Sequence, residues 1–235
     1  MNAFSGITEF VRMTAAREHD RKFLYHLKLP ANSWLVFDKA YNAYQQFSKW
    51  TAQKVWFVTR MRENAGFHVT KVIIDRTRQL KARGVIKEQY ITVPIRKNGA
   101  ILERLKLRRI TFRSEDGNVY VFITNNFTLA AIQIATIYKN RWMIELLFKQ
   151  IKQNFPLRYF WGESPNAIKM QIYCVLIAQL LMVVIRKKAA TKKSFSNMIT
   201  VIRLHLMSYV ELLYFIKDTY KAWRKAQTAN IGFSP

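Results

Sequence analysis

The run Trp34-Leu35-Val36-Phe37 is followed at once by Asp38, and this short stretch decides the fold class. Consecutive apolar residues of this kind are typical of a central β-strand that is buried on both faces. Asp38 then lies at the carboxyl end of the strand, where open α/β sheets place their ligand chemistry. A helix from about Ala40 and a second apolar strand over residues 55–59 follow, so the pattern predicts an α/β core.

The chain outside this stretch divides into four predicted segments. Residues 1–60 form the first part of the core, and residues 61–117 form a β-rich insertion with many cations on exposed faces. Residues 118–160 return to the core with a buried strand over 118–124 and a helix over about 129–154. Residues 161–235 are predicted to be a helical C-terminal region, with helices over about 166–187 and 195–216.

Charge indicates the class of partner. The 235 residues contain 39 Lys+Arg and 14 Asp+Glu, a formal net charge of +25, and 50% of them are hydrophobic. A folded body that carries this charge suits a polyanion, with nucleic acid favoured over an anionic membrane. The one cysteine, Cys174, excludes a disulfide scaffold and a cysteine-built zinc site. The N-terminus lacks a secretory signal, and the apolar run 172–185 is too short to span a bilayer, so a cytoplasmic protein without a membrane partner is expected.

The residues with the most informative spacing lie between positions 138 and 152. On one continuous helix, a narrow stripe would contain a phenol, a carboxylate and three cations, and the opposite side would bury Ile144, Leu147 and Ile151. A carboxylate among cations suits a metal held against a phosphodiester, which the cations would bind. The residues of the stripe are Tyr138, Arg141, Glu145, Lys149 and Lys152.

Simpler interpretations compete with this one. Arg141, Glu145 and Lys149 are spaced four apart and can form a solvated, weakly stabilising face, which helix geometry alone favours. Asp38, likewise, can be the N-cap of the helix that follows it. Acidic residues are scarce in this chain, however, so an acid after a buried strand and another among cations have added weight.

At these residues the sequence resembles the DDE transposases of bacterial insertion sequences, in the subgroup with a Tyr-x2-Arg-x3-Glu-x6-Lys signature. Tyr138, Arg141, Glu145 and Lys152 match its four positions. Residues 37–41 resemble the segment around the second catalytic aspartate, with Ala40 in place of a glycine. Residues 58–60 resemble the following strand, and His19-Asp20 resembles a short upstream motif. The resemblance extends from about residue 6 to residue 187.

The resemblance implies a ribonuclease H-like fold and DNA cleavage and strand transfer at transposon ends. Three carboxylates would bind two Mg²⁺ ions, and Asp38 and Glu145 match the second and third of them. Tyr138, Arg141 and Lys152 match residues that lie against transposon-end DNA. Tyr120 corresponds to an aromatic that stacks on a flipped base in some relatives, although a strand core residue is the favoured interpretation. The implied partners are double-stranded DNA of the transposon ends and the target, bound by a homodimer on paired ends.

The first acid of the triad has no candidate in this sequence. Glu9, Glu18 and Asp20 are the acids before Asp38, and none fits the first core strand. We therefore expect that strand and its aspartate to be absent, and the chain to be N-terminally truncated and catalytically impaired by itself. The alternatives are a non-enzymatic DNA-binding remnant of a transposase and, ranked far lower, a peripheral membrane protein that uses its apolar helices.

Overall fold

A computed structural model describes residues 1, 8, 11, 13, 20–75, 84–155, 157, 159–206, 216–218, 220–221 and 224. The chain divides into two compact units. Residues 14–142 form one, here called the sheet unit, and residues 1–13 with 143–235 form the other, here called the helical unit. His19 and most of residues 1–19 fall outside the described residues.

The sheet unit is built on one six-stranded mixed sheet with the order β1-β2-β6-β5-β4-β3. β1 and β2 pair in parallel, and every other neighbouring pair is antiparallel. This arrangement of a mixed sheet with helices confirms the predicted α/β class and is consistent with a ribonuclease H-like transposase domain. The strands are β1 (Trp34–Phe37), β2 (Trp56–Arg60), β3 (His68–Asp75), β4 (Val85–Lys97), β5 (Ala100–Arg113) and β6 (Val119–Thr124).

A helix covers each face of the sheet. Phe47 and Trp50 of α1 (Tyr44–Ala52) pack against Phe57 on one face. Ile134 of α2 (Ala131–Lys139) packs against Val58 on the other. Adjacent residues of a strand point to opposite faces, so the apolar run of β2 contributes side chains to the hydrophobic core on each face of the sheet. The continuous apolar run of β2 therefore reflects burial on both faces, whereas the residues of β1 are half-buried.

The β-rich stretch is continuous with the rest of the sheet. The segments predicted as strands there, over residues 68–74, 90–95 and 105–112, lie within β3, β4 and β5. β5 pairs with β4 on one side and with β6 on the other. The expectation that its cations lie on exposed faces is wrong for Arg108, which is buried in an ion pair with Glu88. Sequence alternation places residues on a face of the sheet but does not tell whether another element covers that face.

The helix predicted over residues 129–154 is wrong in one respect, because the structure has two helices there. α2 ends at Lys139, and α3 spans Trp142–Asn154. Between them the backbone N–H groups of Asn140 and Arg141 bond to carbonyls three residues back instead of four. This tighter turn interrupts the helix, so residues 138–152 do not lie on the one continuous helix that was predicted.

The helical unit contains the rest of α3 together with α4 (Pro165–Ala189) and α5 (Phe195–His205). Ser164 caps α4 by accepting a hydrogen bond from the Ala167 N–H at 3.2 Å. α4 extends well beyond the apolar run 172–185, and among the described helices it is long and apolar enough to cross a bilayer by length and composition alone. The core helix of a soluble protein passes the same test, so this is weak evidence for a membrane segment.

Candidate active site

Parallel pairing of β1 and β2 brings Asp38 and Arg60 together. Phe37 is in register with Thr59, so the residues that follow them lie side by side at the carboxyl ends of the two strands. The Nη2 atom of Arg60 donates to Oδ2 of Asp38 at 2.9 Å. The predicted position of Asp38 at the carboxyl end of a strand is confirmed, and its charged partner is a cation from the next strand. The prediction of a central strand buried on both faces is wrong, because β1 lies at one edge of the described six-stranded sheet and its four residues are half-buried.

Both carboxylate oxygens of Asp38 accept hydrogen bonds. Oδ1 accepts from the Ala40 N–H at 3.0 Å and caps the short 3₁₀ helix Lys39–Tyr41, so the simpler N-cap interpretation is also correct. Partial burial would raise the pKa of Asp38, but these hydrogen bonds and the charges of Arg60 and Arg141 outweigh it. The net pKa lies below its usual value, so Asp38 is a carboxylate at neutral pH.

Tyr138 and Arg141 belong to the same neighbourhood of the sheet unit. The Tyr138 ring lies 4.7 Å from the ring of Phe122, and the Arg141 guanidinium lies 5.8 Å from the Tyr138 ring centroid. Burial raises the pKa of Tyr138 above its usual value, although the nearby charges of Arg60 and Arg141 act against it. The phenol is therefore protonated at neutral pH, and its hydroxyl is buried beside two guanidinium groups.

Tyr120 is part of the strand core on the α2 face. It is half-buried, stacks on Phe122 with 6.0 Å between ring centroids, and lies 6.0 Å from the guanidinium carbon of Arg60. This packing agrees with the favoured core interpretation. Its role in stacking on a flipped base stays a prediction.

Three of the predicted site residues lie in the helical unit. Glu145 is in the first turn of α3, where a carboxylate is favoured by the helix dipole. Lys149 and Lys152 follow at helical spacing and are exposed, while Leu147 and Ile151 are buried on the other side as predicted. The expectation that concerns α3 alone is therefore confirmed for these two lysines and for Leu147 and Ile151, whereas Ile144 is only half-buried.

The residues around Asp38 do not make up a magnesium site as they stand. Both Asp38 oxygens are bound to protein donors, and one donor is a guanidinium that repels a divalent cation. In the part of the chain that the structure describes, no group of three His, Cys, Asp or Glu side chains could hold a metal ion. A metal ion at Asp38 would therefore compete with Arg60 for the carboxylate.

Arg60 and Arg62 complete the site, and spacing along the sequence did not single them out. Arg62 donates hydrogen bonds to the carbonyl oxygens of Lys39 and Ala40 at 3.0 and 2.7 Å, and these bonds stabilise the turn after Asp38. Arg60 follows a buried strand just as Asp38 does. Parallel pairing of those two strands is the signal that would have placed the two residues together.

Comparisons with known proteins identify a family for this chain. A family model described as "Transposase DDE domain" matches residues 1–181. A Sinorhizobium fredii protein named as a transposase is 31% identical over 170 residues, which are 72% of this chain and 47% of that protein. A Geobacillus stearothermophilus protein named as a transposase for insertion sequence element IS5377 is 26% identical over 152 residues, 65% and 39% of the two chains.

A third relative has the longest aligned region of the three. It is a Synechocystis protein named as a transposase for insertion sequence element IS4SA, and it is 25% identical over 202 residues, 81% of this chain and 54% of that protein. The chain thus spans about half the length of the curated relatives it matches.

Proposed function

The chain belongs to the transposase DDE domain family, and from that membership we propose that it acts in DNA transposition through the site around Asp38. The observation that carries this proposal is the convergence of Asp38, Arg60, Tyr138 and Arg141 in one unit. A phosphodiester is an anion with several acceptor oxygens. Two guanidinium groups and a protonated phenol are suitable donors for it.

Each predicted site residue has a proposed role. Asp38 and Glu145 are the candidate catalytic carboxylates and the candidate ligands of Mg²⁺. Tyr138, Arg141, Lys149, Lys152 and Tyr120 are candidate DNA contacts, with the cations on phosphate oxygens. The proposed partner is duplex DNA of transposon ends and of the target, bound in the cytoplasm by a homodimer on paired ends. Membership in the subgroup with the Tyr-x2-Arg-x3-Glu-x6-Lys signature is part of the same proposal.

We expect this 235-residue polypeptide to cleave DNA weakly or not at all, because it offers two candidate carboxylates where the family site uses three. The measurement is nicking of a supercoiled plasmid by the purified chain with Mg²⁺ or Mn²⁺. Robust metal-dependent nicking that Glu145→Ala abolishes would show that these residues are sufficient. The second candidate function, a DNA-binding remnant without activity, is favoured by the ion pair that occupies Asp38.

DNA binding tests the proposal independently of cleavage. Arg141→Gln and Lys152→Gln should each reduce the slope of log affinity against log salt concentration by about one, because each removes one phosphate contact. Fluorescence anisotropy with a labelled duplex at several salt concentrations measures this slope. Lys28→Gln is the matched control, since Lys28 is an exposed cation outside the site. Equal losses in the control and the site variants would mean that only net charge matters and would contradict the proposed location.

A further inference from the structure

Three consecutive aromatic side chains in the loop between α3 and α4 are exposed to solvent. Tyr159 is 81% exposed, Phe160 44% and Trp161 91%. Tyrosine and tryptophan are usually well buried, since their rings carry a large apolar area. Exposed aromatic rings in a row therefore indicate a surface that binds a partner.

The backbone that carries these rings is fixed to α4. The side-chain amide of Gln171 donates to the Tyr159 carbonyl at 2.8 Å and accepts from the Trp161 N–H at 3.1 Å. A Cβ atom at Gly162 would lie 2.7 Å from the Cβ of Ala167, so the loop is pressed closely onto the first turn of the helix. An anchored loop loses little conformational entropy when a ligand binds, which favours a binding role over a passive one.

The two amide hydrogen bonds also fix the local geometry. A residue of a parallel strand bonds the carbonyl of one residue and the N–H of the residue two further on, and Gln171 imitates this pattern. The backbone on both sides of Phe160 is therefore held by one side chain of α4.

We propose that Tyr159 and Trp161 form a stacking platform for an unpaired base of DNA. Stacking on aromatic side chains is how proteins hold unpaired bases without reading their sequence. The net charge of +25 brings a polyanion to the chain, and the sequence neighbours of the platform are Arg158, Glu163 and Lys169. The inference rests on the proposed DNA-binding function and adds to it a preference for unpaired over fully paired DNA.

The test compares labelled oligonucleotides of one sequence: a single strand, a duplex with one unpaired base, and a perfect duplex. Binding of the complete 235-residue chain is followed by fluorescence anisotropy, with circular dichroism to confirm that each variant is folded. Trp161→Ala should weaken binding of the two DNAs with unpaired bases by about tenfold and leave the perfect duplex within about twofold. Trp161→Phe should keep most of the affinity because it keeps an aromatic face, whereas Trp161→Leu should behave like alanine.

Tyr173→Ala is the matched control, because Tyr173 is an exposed tyrosine on α4 outside the loop, and it should bind all three DNAs like the wild type. Wild-type affinity in Trp161→Ala, wild-type affinity in Trp161→Leu, or an equal loss on the perfect duplex would each overturn the platform. These outcomes leave salt-sensitive duplex binding intact, so they are distinguishable from failure of the proposed function. Absence of binding to every DNA would overturn both.

Discussion

Arg108→Ala is expected to lower the free energy of unfolding of the sheet unit by about 3–5 kcal/mol, the usual result of leaving one partner of a buried ion pair without the other. The Arg108 Nε atom donates to Oε1 of Glu88 at 2.7 Å, and the two side chains are only 4% and 6% exposed. Removing the guanidinium leaves the Glu88 carboxylate buried and uncompensated. Urea unfolding followed by far-UV circular dichroism measures the loss.

Two further variants make this expectation specific. Arg104→Ala removes an exposed cation from the same strand and should change stability by less than about 0.5 kcal/mol. The double variant Glu88→Leu/Arg108→Met removes both charges and should recover most of the lost stability. A loss in Arg108→Ala no larger than that in Arg104→Ala would contradict the buried pair.

The same ion pair supports the candidate site at a distance. Arg108 also donates to the carbonyl oxygens of Asn126 and Leu129, in the loop that leads into α2. α2 carries Tyr138 in its last turn. The pair therefore fixes the start of the helix whose end contributes to the surroundings of Asp38, and we expect Arg108→Ala to weaken DNA binding as well as stability.

Arg60→Gln is expected to raise the affinity of Asp38 for a divalent cation by about tenfold, because the guanidinium no longer competes for the carboxylate. Arg60 and Asp38 are 30% and 31% exposed, so solvent screening makes their electrostatic attraction weaker than it would be in a fully buried ion pair. Mn²⁺ serves as the probe in place of Mg²⁺. Electron paramagnetic resonance of free Mn²⁺ gives the affinity without any need for enzymatic activity.

Arg62→Gln is the matched control for Arg60→Gln, because Arg62 binds the carbonyls of the same turn but not the carboxylate. Its Mn²⁺ affinity should equal that of the wild type. Adding Asp38→Asn to Arg60→Gln should remove the gain. If the gain persists without the Asp38 carboxylate, or if Arg60→Gln binds Mn²⁺ no better than the wild type, Arg60 does not control access to Asp38.

Local sequence patterns were sufficient to predict the strands that surround the site and the position of Asp38. A run of apolar residues predicted the strand β1, and the polar residue that ends the run was expected at the carboxyl end of that strand. Asp38 was located in this way. The burial of β1 was not predicted correctly, because it is a half-buried edge strand of the described sheet and not a central one. The alternating or β-branched segments over residues 90–95 and 105–112 predicted the middle of β4 and most of the second half of β5, because a period-two pattern reflects the pleat of a strand.

The pairing of strands and the continuity of helices were harder to predict, because they depend on contacts between segments that are distant along the chain. The neighbour of Asp38 is set by the parallel register of β1 and β2, and no local pattern encodes that register. The burial of Arg108 depends on Glu88 and on the loop before α2, 18 to 21 residues away along the chain. The break at Asn140 arises from a turn of backbone hydrogen bonds within an otherwise helical pattern.

Photocrosslinking to DNA tests the central claim, that DNA binds at the Asp38 site of the sheet unit, most directly. A duplex with 5-iodouracil at successive positions is irradiated with the purified chain, and mass spectrometry identifies the peptides that carry nucleotide. The account predicts adducts in the peptides that contain Asp38 to Tyr41 and Tyr138 to Trp142, with fewer of them in Arg141→Gln. Adducts confined to α4 and α5, with none in those two peptides, would contradict it.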